Sequence, residues 1–474
     1  MRTLRRTLFF LTAWLALTAV SAPCMDVDIV GDGRIFGNFF INHNYTGWNE
    51  DGTQTEDTLN VWQRFRLRFD FKADEDLSFR LGMRVDDENW GHGTFTADAP
   101  EVSIEAYLAY LQFKWPDTDI LVTAGYQPVS LPQTEAFYDS LVLANDDGDQ
   151  STAALVVSSP LWEDALSINA GFTRLMDTNG AFDADTTQAA DEFDAYFLTL
   201  PIAAGGLKVS PWGMVGLVGK AADLGDLQAG LAAAGSFLPP ADWEYNQTPY
   251  WWAGASVELD VLDPFKVFFD FSYGASASAH AFSHRGGWFA DAAVEYTGLD
   301  FMTPGVYAWM GSGENASLAD GSERLPVVMP KWGPATSFLF DCDQALSDAA
   351  METDPTGTIG FAVAAKDISF IEDLTSRLTF AMVFGRNSAE GIRRALGATG
   401  GNGAYMTMGR QLAVGEQLVG VNFDHSYNIH ENLTLSLETG FARGFGFRSN
   451  VWGHRFAAAA APAWKCGLGV TYTF

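Results

Sequence analysis

The last eleven residues, Trp464-Lys-Cys-Gly-Leu-Gly-Val-Thr-Tyr-Thr-Phe474, decide how the rest of the chain is read. Trp464, Cys466, Leu468, Val470, Tyr472 and Phe474 alternate strictly with Lys465, Gly467, Gly469, Thr471 and Thr473. Successive side chains of a strand point to opposite faces, so this segment has one apolar face and one small or polar face. A strand of this length and pattern that ends on an aromatic residue suits the wall of a transmembrane barrel. A half-buried strand of a soluble sandwich carries the same pattern, and recurrence along the chain separates the two readings.

The alternation recurs. Val61, Phe65, Leu67, Phe69 and Phe71 alternate with Trp62, Arg64, Arg66, Arg68 and Asp70, and Leu77, Phe79, Leu81, Met83 and Val85 with Ser78, Arg80, Gly82, Arg84 and Asp86. Trp251 to Val261, Arg377 to Phe384 and Asn432 to Glu438 behave alike. The spacing predicts strands near 27–42, 60–71, 77–87, 103–115, 118–127, 151–159, 164–174, 191–200, 207–219, 249–261, 265–274, 287–297, 299–311, 356–366, 376–386, 415–428, 431–443 and 464–474. Eighteen strands are expected, or sixteen if those containing Pro211 and Pro304, which cannot donate to a ladder, dissolve.

Loop lengths add independent information. Short connections such as Asp74-Glu75-Asp76, Pro116-Asp117, Gly205-Gly206 and Glu372-Asp373 alternate with long ones at Pro128 to Gln150, Ala221 to Thr248, Ser312 to Pro355 and Asn387 to Val414. Short periplasmic turns and long external loops on an even-stranded antiparallel up-and-down barrel give this rhythm, whereas a sandwich has no reason to segregate loop lengths. A barrel of 16 to 18 strands leaves an aqueous channel. Strand patterning starts near Val27, which leaves no room for a folded N-terminal plug.

Composition agrees. The 474 residues carry 28 Lys+Arg against 59 Asp+Glu, a net charge of -31, which excludes nucleic acid as a partner because its phosphates would be repelled. Arg2, Arg5 and Arg6 precede an apolar stretch from Leu8 to Val20, the layout of a secretory signal peptide over residues 1–24, with cleavage after Ser21 as the alternative. Residues 25–474 then form a single barrel domain. Pro23 argues against reading Cys24 as a lipoprotein cysteine. Cys342 and Cys466 do not make a disulfide framework.

Arg64, Arg66 and Arg68 share the polar face of one strand, and Arg80 and Arg84 that of its hairpin neighbour; Arg34 joins them from the first strand. A turn centred near Asp74 sets Arg64 against Arg84 and Arg68 against Arg80, an arrangement that like-charge repulsion disfavours. Arginine on the lipid face at mid-bilayer would cost about 2 to 4 kcal/mol, so these side chains are expected to line the lumen and set selectivity. The bland reading is a solvated polar face. The loop from Pro128 to Gln150 carries Glu135 and Asp139; folded inward, these constriction acids would face the arginines across the pore. Asn145-Asp-Asp-Gly-Asp149 resembles a calcium loop but lacks its closing acid, so no metal or other cofactor is expected. Neither G-x-S-x-G, H-E-x-x-H, a Walker A loop nor a C-x-x-C pair occurs, and no enzyme is expected. The alternatives to a diffusion pore are an adhesin or structural barrel and a lipid-facing hydrolase with a Ser/His pair on its outer wall.

Gly31 to Phe40 (GDGRIFGNFF), Tyr45 to Trp48 (YTGW), Arg64 to Arg68 (RFRLR), Trp90 to Phe95 (WGHGTF), Tyr110 to Pro116 (YLQFKWP) and Thr303 to Trp309 (TPGVYAW) resemble the outer-membrane homotrimeric porin family of sulfate-reducing bacteria. The resemblance spans essentially the whole mature chain and is densest from Gly31 to Gln133. It implies a homotrimer in outer-membrane lipid that passes small hydrophilic solutes and ions by diffusion.

Overall fold

The computed structural model describes residues 26–47, 58–92, 96–97, 102–145, 150–162, 165–177, 191–219, 247–276, 284–317, 320–340, 342, 345–346, 350–398 and 408–474. The leader expected over residues 1–24 and the acids of the calcium-like loop at 146–149 lie outside them.

Eighteen antiparallel strands close into one sheet. They are β1 (Asp26–Ile41), β2 (Thr58–Lys72), β3 (Leu77–Asn89), β4 (Glu105–Lys114), β5 (Leu121–Pro128), β6 (Ser151–Trp162), β7 (Leu166–Asp177), β8 (Glu192–Thr199, resuming at Ile202–Ala204) and β9 (Leu207–Gly219). The second half comprises β10 (Gln247–Leu262), β11 (Phe265–Ser276), β12 (Gly286–Tyr296), β13 (Thr303–Gly311), β14 (Thr358–Ile371), β15 (Leu374–Gly385), β16 (Gln417–His430), β17 (Leu433–Phe445) and β18 (Ala463–Thr473). Each pairs with its sequence neighbours, and β18 pairs back onto β1 from Trp464↔Ile41 to Thr473↔Asp32. Gly31 and Phe474 exchange backbone hydrogen bonds of 2.9 and 3.0 Å at the seam.

Both proline-containing strands persist. Pro211 sits opposite the interruption in β8, where Leu200 and Pro201 leave the ladder; Thr199↔Trp212 and Ile202↔Val209 keep one register on either side. The missing proline donor is thus placed where its neighbour is already broken, with Leu200 N still donating to Pro211 O at 2.9 Å. Pro304 lies at the start of β13 against Ala365.

Burial is inverted relative to a soluble protein. Ile35, Phe39, Phe65, Leu111, Phe269, Phe361, Leu468 and Tyr472 face outward and are exposed, while their strand neighbours Arg34, Asn38, Arg64, Asp270, Ala362 and Lys465 are buried. An apolar belt around a closed sheet is what a hydrocarbon solvent requires, because every backbone polar group is paired within the wall. Among the described residues no helix is long and apolar enough to cross a membrane.

The loop from 312 to 357, expected to be external, instead folds into the lumen. Leu325, Val327, Val328, Trp332, Phe338, Leu339 and Phe340 are buried inside the barrel. Its approach requires glycine on the inner wall: a Cβ at Gly440 would stand 2.4 Å from Phe338, and one at Gly420 2.5 Å from Leu339.

Candidate functional site

The arginines occupy inward positions on β1 to β3, and each meets an acid on the same wall. Arg34 Nη2 is 2.5 Å from Asp87, Arg66 Nε 2.6 Å from Asp32, Arg80 Nε 2.5 Å from Asp70 and Arg84 Nη2 2.8 Å from Asp86. Arg64 lies 3.7 Å from Asp32 and Arg68 3.7 Å from Asp70. The expected register is corrected: Arg66, not Arg64, opposes Arg84, and Arg80 opposes Asp70 rather than Arg68. The hairpin is centred on Glu75 rather than Asp74, as the pairing of Lys72 with Ser78 shows, and that one-residue shift of the turn produces the offset; a bulge between Val85 and Glu88 lies beyond these pairs. Arg34 does face Arg64 directly across β1 and β2. The like-charge problem is solved by interleaved aspartates rather than left as strain.

Two loops narrow the lumen from other sides. Residues 129–145 turn inward after β5 through a short 3-10 turn at Glu135–Phe137. Thr134 Oγ1 donates to Asp270 at 2.5 Å, Gln133 Nε2 to Asp291 at 3.1 Å, and Glu135 pairs with Lys266 at 3.2 Å. Those partners lie on β11 and β12. In an eighteen-strand barrel β11 stands nine strands from β2, half the circumference away, so Glu135 sits on the wall across from the arginines. Asp139 is used within its own loop, accepting from Ser130 Oγ at 2.5 Å and from the Asn145 amide at 2.8 Å.

The second loop, 312–357, is held on β15 to β18. Ser337 Oγ donates to Asp424 at 2.8 Å, Thr336 Oγ1 to Asn422 at 2.8 Å, and Thr379 Oγ1 to Ala335 O at 2.5 Å. Lys465 Nζ donates to Glu438 at 2.6 Å and to Ser337 O at 3.1 Å, a pair with side chains 0% and 2% exposed. So deep a pair is tolerable only because backbone groups of the loop, including the Ala345 amide at 2.6 Å from Glu438, complete its hydrogen bonding. The two loops also join each other. Residues Tyr138–Ser140 pair with Lys331–Trp332, and the Phe137 and Trp332 rings stack at 5.4 Å and 7°. Trp332 Nε1 donates to Asp291 at 2.7 Å, so one indole ties both loops to the β12 wall.

Below the joined loops a chamber of about 650 Å³ is lined by Asp139, Lys366, Arg377, Asp424 and Glu438 among others. These residues mix both signs of charge around one space, and Arg377 donates to Asp424 at 3.1 Å. Sequence reading missed this second loop. Its signal was present: Leu325-Pro-Val-Val-Met and Phe338-Leu-Phe are apolar runs in a connection, and such runs need cover.

Above the constriction, Arg324 is fully buried and clasps the two limbs of the 312–357 loop by pairing with Asp354 and donating to Thr356 Oγ1 at 2.7 Å. Glu314 is 2% exposed and accepts from Ser322 Oγ at 2.6 Å. Burial pushes its pKa up to about 8. Its folded value exceeds the unfolded one, so the folded state holds the extra proton, and stability falls as pH rises from the ordinary glutamate range through about 8. Limited proteolysis of the external loops is expected to speed up between pH 6 and pH 9, and Glu314→Gln to abolish most of that dependence.

A Ser/His contact exists on the wall: Ser376 Oγ lies 2.8 Å from His425 Nδ1. Among the described residues no carboxylate hydrogen-bonds this imidazole, so the orienting third group of a hydrolytic site is not assembled there.

No family model matches the chain, and no curated protein matches it. Solved structures do. OccK8 (OprE) of Pseudomonas aeruginosa is similar with a TM-score of 0.53 at 11% identity, covering 95% of this chain and 98% of that one. OpdL of the same organism gives 0.51 at 14% over 95% and 99%, and the outer membrane protein OprD 0.50 at 10% over 94% and 93%. These likenesses establish the fold. At such identities they carry no residue roles, and the charges described above stand on their own geometry.

Proposed function

We propose that this protein is an outer-membrane porin, a passive diffusion channel for small hydrophilic solutes and ions. The observation that carries the reading is water-exposed charge on the inner wall: Arg68 and Arg80 point into the lumen with side chains 39% and 34% exposed. A filled core would bury or exclude such groups, whereas an aqueous path solvates them. The likeness to an outer membrane protein supports the location.

Solutes pass between the arginine and aspartate wall of β1 to β3 and the inward loops on the far side. Arg34, Arg64, Arg66, Arg68, Arg80 and Arg84 line this path and hold passing anions weakly, with Glu135 supplying opposite charge from across it. The paired aspartates temper the positive field, so the wall selects by alternating charge rather than by one sign. Planar-bilayer recording of purified protein tests the reading: stepwise ohmic conductance is expected, and its absence with correctly folded barrel would exclude a pore.

The finer assignment, a homotrimer like the porins of sulfate-reducing bacteria, belongs to the same proposal. It is supported by the stretches from Gly31 to Trp309 quoted above. Crosslinking in mild detergent should give a ladder ending at three chains, as closed cyclic symmetry requires; a ladder stopping at one chain refutes it.

A further inference from the structure

On the outward face of β11 to β15, three alanines stand where most outward positions carry large side chains. Ala290, Ala292 and Ala308 form a floor, with Phe269 on one side and Phe361 and Phe384 on the other. The result is a groove of about 420 Å³, almost wholly apolar, in a wall whose solvent is hydrocarbon. Its rows are fixed by register: Ala290 opposes Met310, Met310 opposes Ile359 and Ile359 opposes Phe384.

One cation stands at the groove's external end. Arg386 follows β15 at the parity of the outward Phe384. Its Nη1 donates to Gly311 O at 2.8 Å and its guanidinium lies 5.9 Å from the Trp288 ring, one outward position above Ala290. Nearby Arg393 and Arg394 both pair with Glu390, at 2.6 and 2.9 Å. Among the described residues no carboxylate pairs with Arg386. Guanidinium donors left over at the level where the wall leaves hydrocarbon complement a phosphate, which accepts in fork geometry.

We propose that this groove binds one lipid carrying a phosphate headgroup, with an acyl chain along the alanine floor and the phosphate on Arg386. The inference rests on the membrane-spanning reading of the barrel. Charge complementarity selects the occupant: a phosphate on the outer-leaflet side meets Arg386, and a flexible chain fills a narrow trough that a flat protein face would leave empty.

Native mass spectrometry of the purified barrel, titrated with phosphatidylglycerol and with diacylglycerol of the same chains, tests it. Phosphatidylglycerol should bind the wild type preferentially. Arg386→Gln should weaken it by roughly tenfold or more, the scale of a lost charge-assisted hydrogen bond, and leave diacylglycerol unaffected. Ala308→Phe, which fills the trough with another lipid-compatible side chain, should weaken both. Equal retention by wild type and Arg386→Gln overturns the proposal. So does efficient disulfide crosslinking of Ala308→Cys between two chains in a Cys466→Ala background, which would assign the groove to an interface between copies. Conductance should stay at the wild-type value in Arg386→Gln and Ala308→Phe, so failure here is distinguishable from failure of the channel reading.

Discussion

Replacing Arg64, Arg66 and Arg68 together by glutamine is expected to move the reversal potential strongly toward cations at low salt, while the barrel still assembles. The expectation follows from the pairing. Arg66 at 2.6 Å and Arg64 at 3.7 Å neutralise Asp32, and Arg68 stands 3.7 Å from Asp70, which Arg80 continues to hold at 2.5 Å, so their loss removes three positive charges and uncovers Asp32. The wall changes sign rather than merely fading. Lumen substitutions tune selectivity and leave the ladder untouched, because the strands are joined by backbone hydrogen bonds. Adding Asp32→Asn and Asp70→Asn to the triple variant should restore much of the original ratio, which a nonspecific loosening of the pore would not. Screening lengths shrink from about 10 Å at 0.1 M salt to about 3 Å at 1 M, so the shift should largely vanish in concentrated electrolyte. A reversal potential unchanged at low ionic strength would show that the arginines are only a solvated face.

The second large effect is expected from the inward loop. Excising residues 325–351 and rejoining the limbs by a short Gly/Ser linker should raise single-channel conductance severalfold. Arg324 and Asp354 already hold the two limbs together, so little chain is needed to close the gap. Among the described residues of the excised segment none belongs to the barrel ladder; Lys331–Trp332 pair with Tyr138–Ser140, and Met329 bridges Leu143. Heat-resistant mobility in detergent should therefore persist. Trp332→Ala provides a milder check. It removes the stack on Phe137 and the hydrogen bond to Asp291, a loss of about 3 to 5 kcal/mol for a buried tryptophan, and should appear as noisy, fluctuating openings. Conductance unchanged by the deletion would place the permeation path elsewhere.

The wall was legible in the sequence because its code is local. A two-residue period places every outward Phe and Leu against lipid, and a slip of one residue would expose the opposite face, so the eighteen strands follow from alternation and loop length. Even the Pro211 strand is compatible with that code. The lumen-facing arginines were legible for the same reason, since charge cannot face hydrocarbon.

What occupies the lumen was not legible, because it depends on contacts between residues far apart in the chain. Ser337 with Asp424, the Ser337 carbonyl with Lys465 and Thr134 with Asp270 each join an inward loop to the wall, and no periodicity encodes them. The turn between β2 and β3 is centred on Glu75 rather than Asp74, and a shift of one residue in a short polar turn, which alternation does not encode, moved the arginine register. The sequence by itself therefore determined a closed barrel with a charged lumen, through the demand that hydrocarbon see only apolar side chains. Only the tertiary structure decided that two loops narrow it, which acid meets which arginine, and where Glu135 stands, because inside a wide barrel these choices are made by packing and charge pairing rather than by the solvent outside.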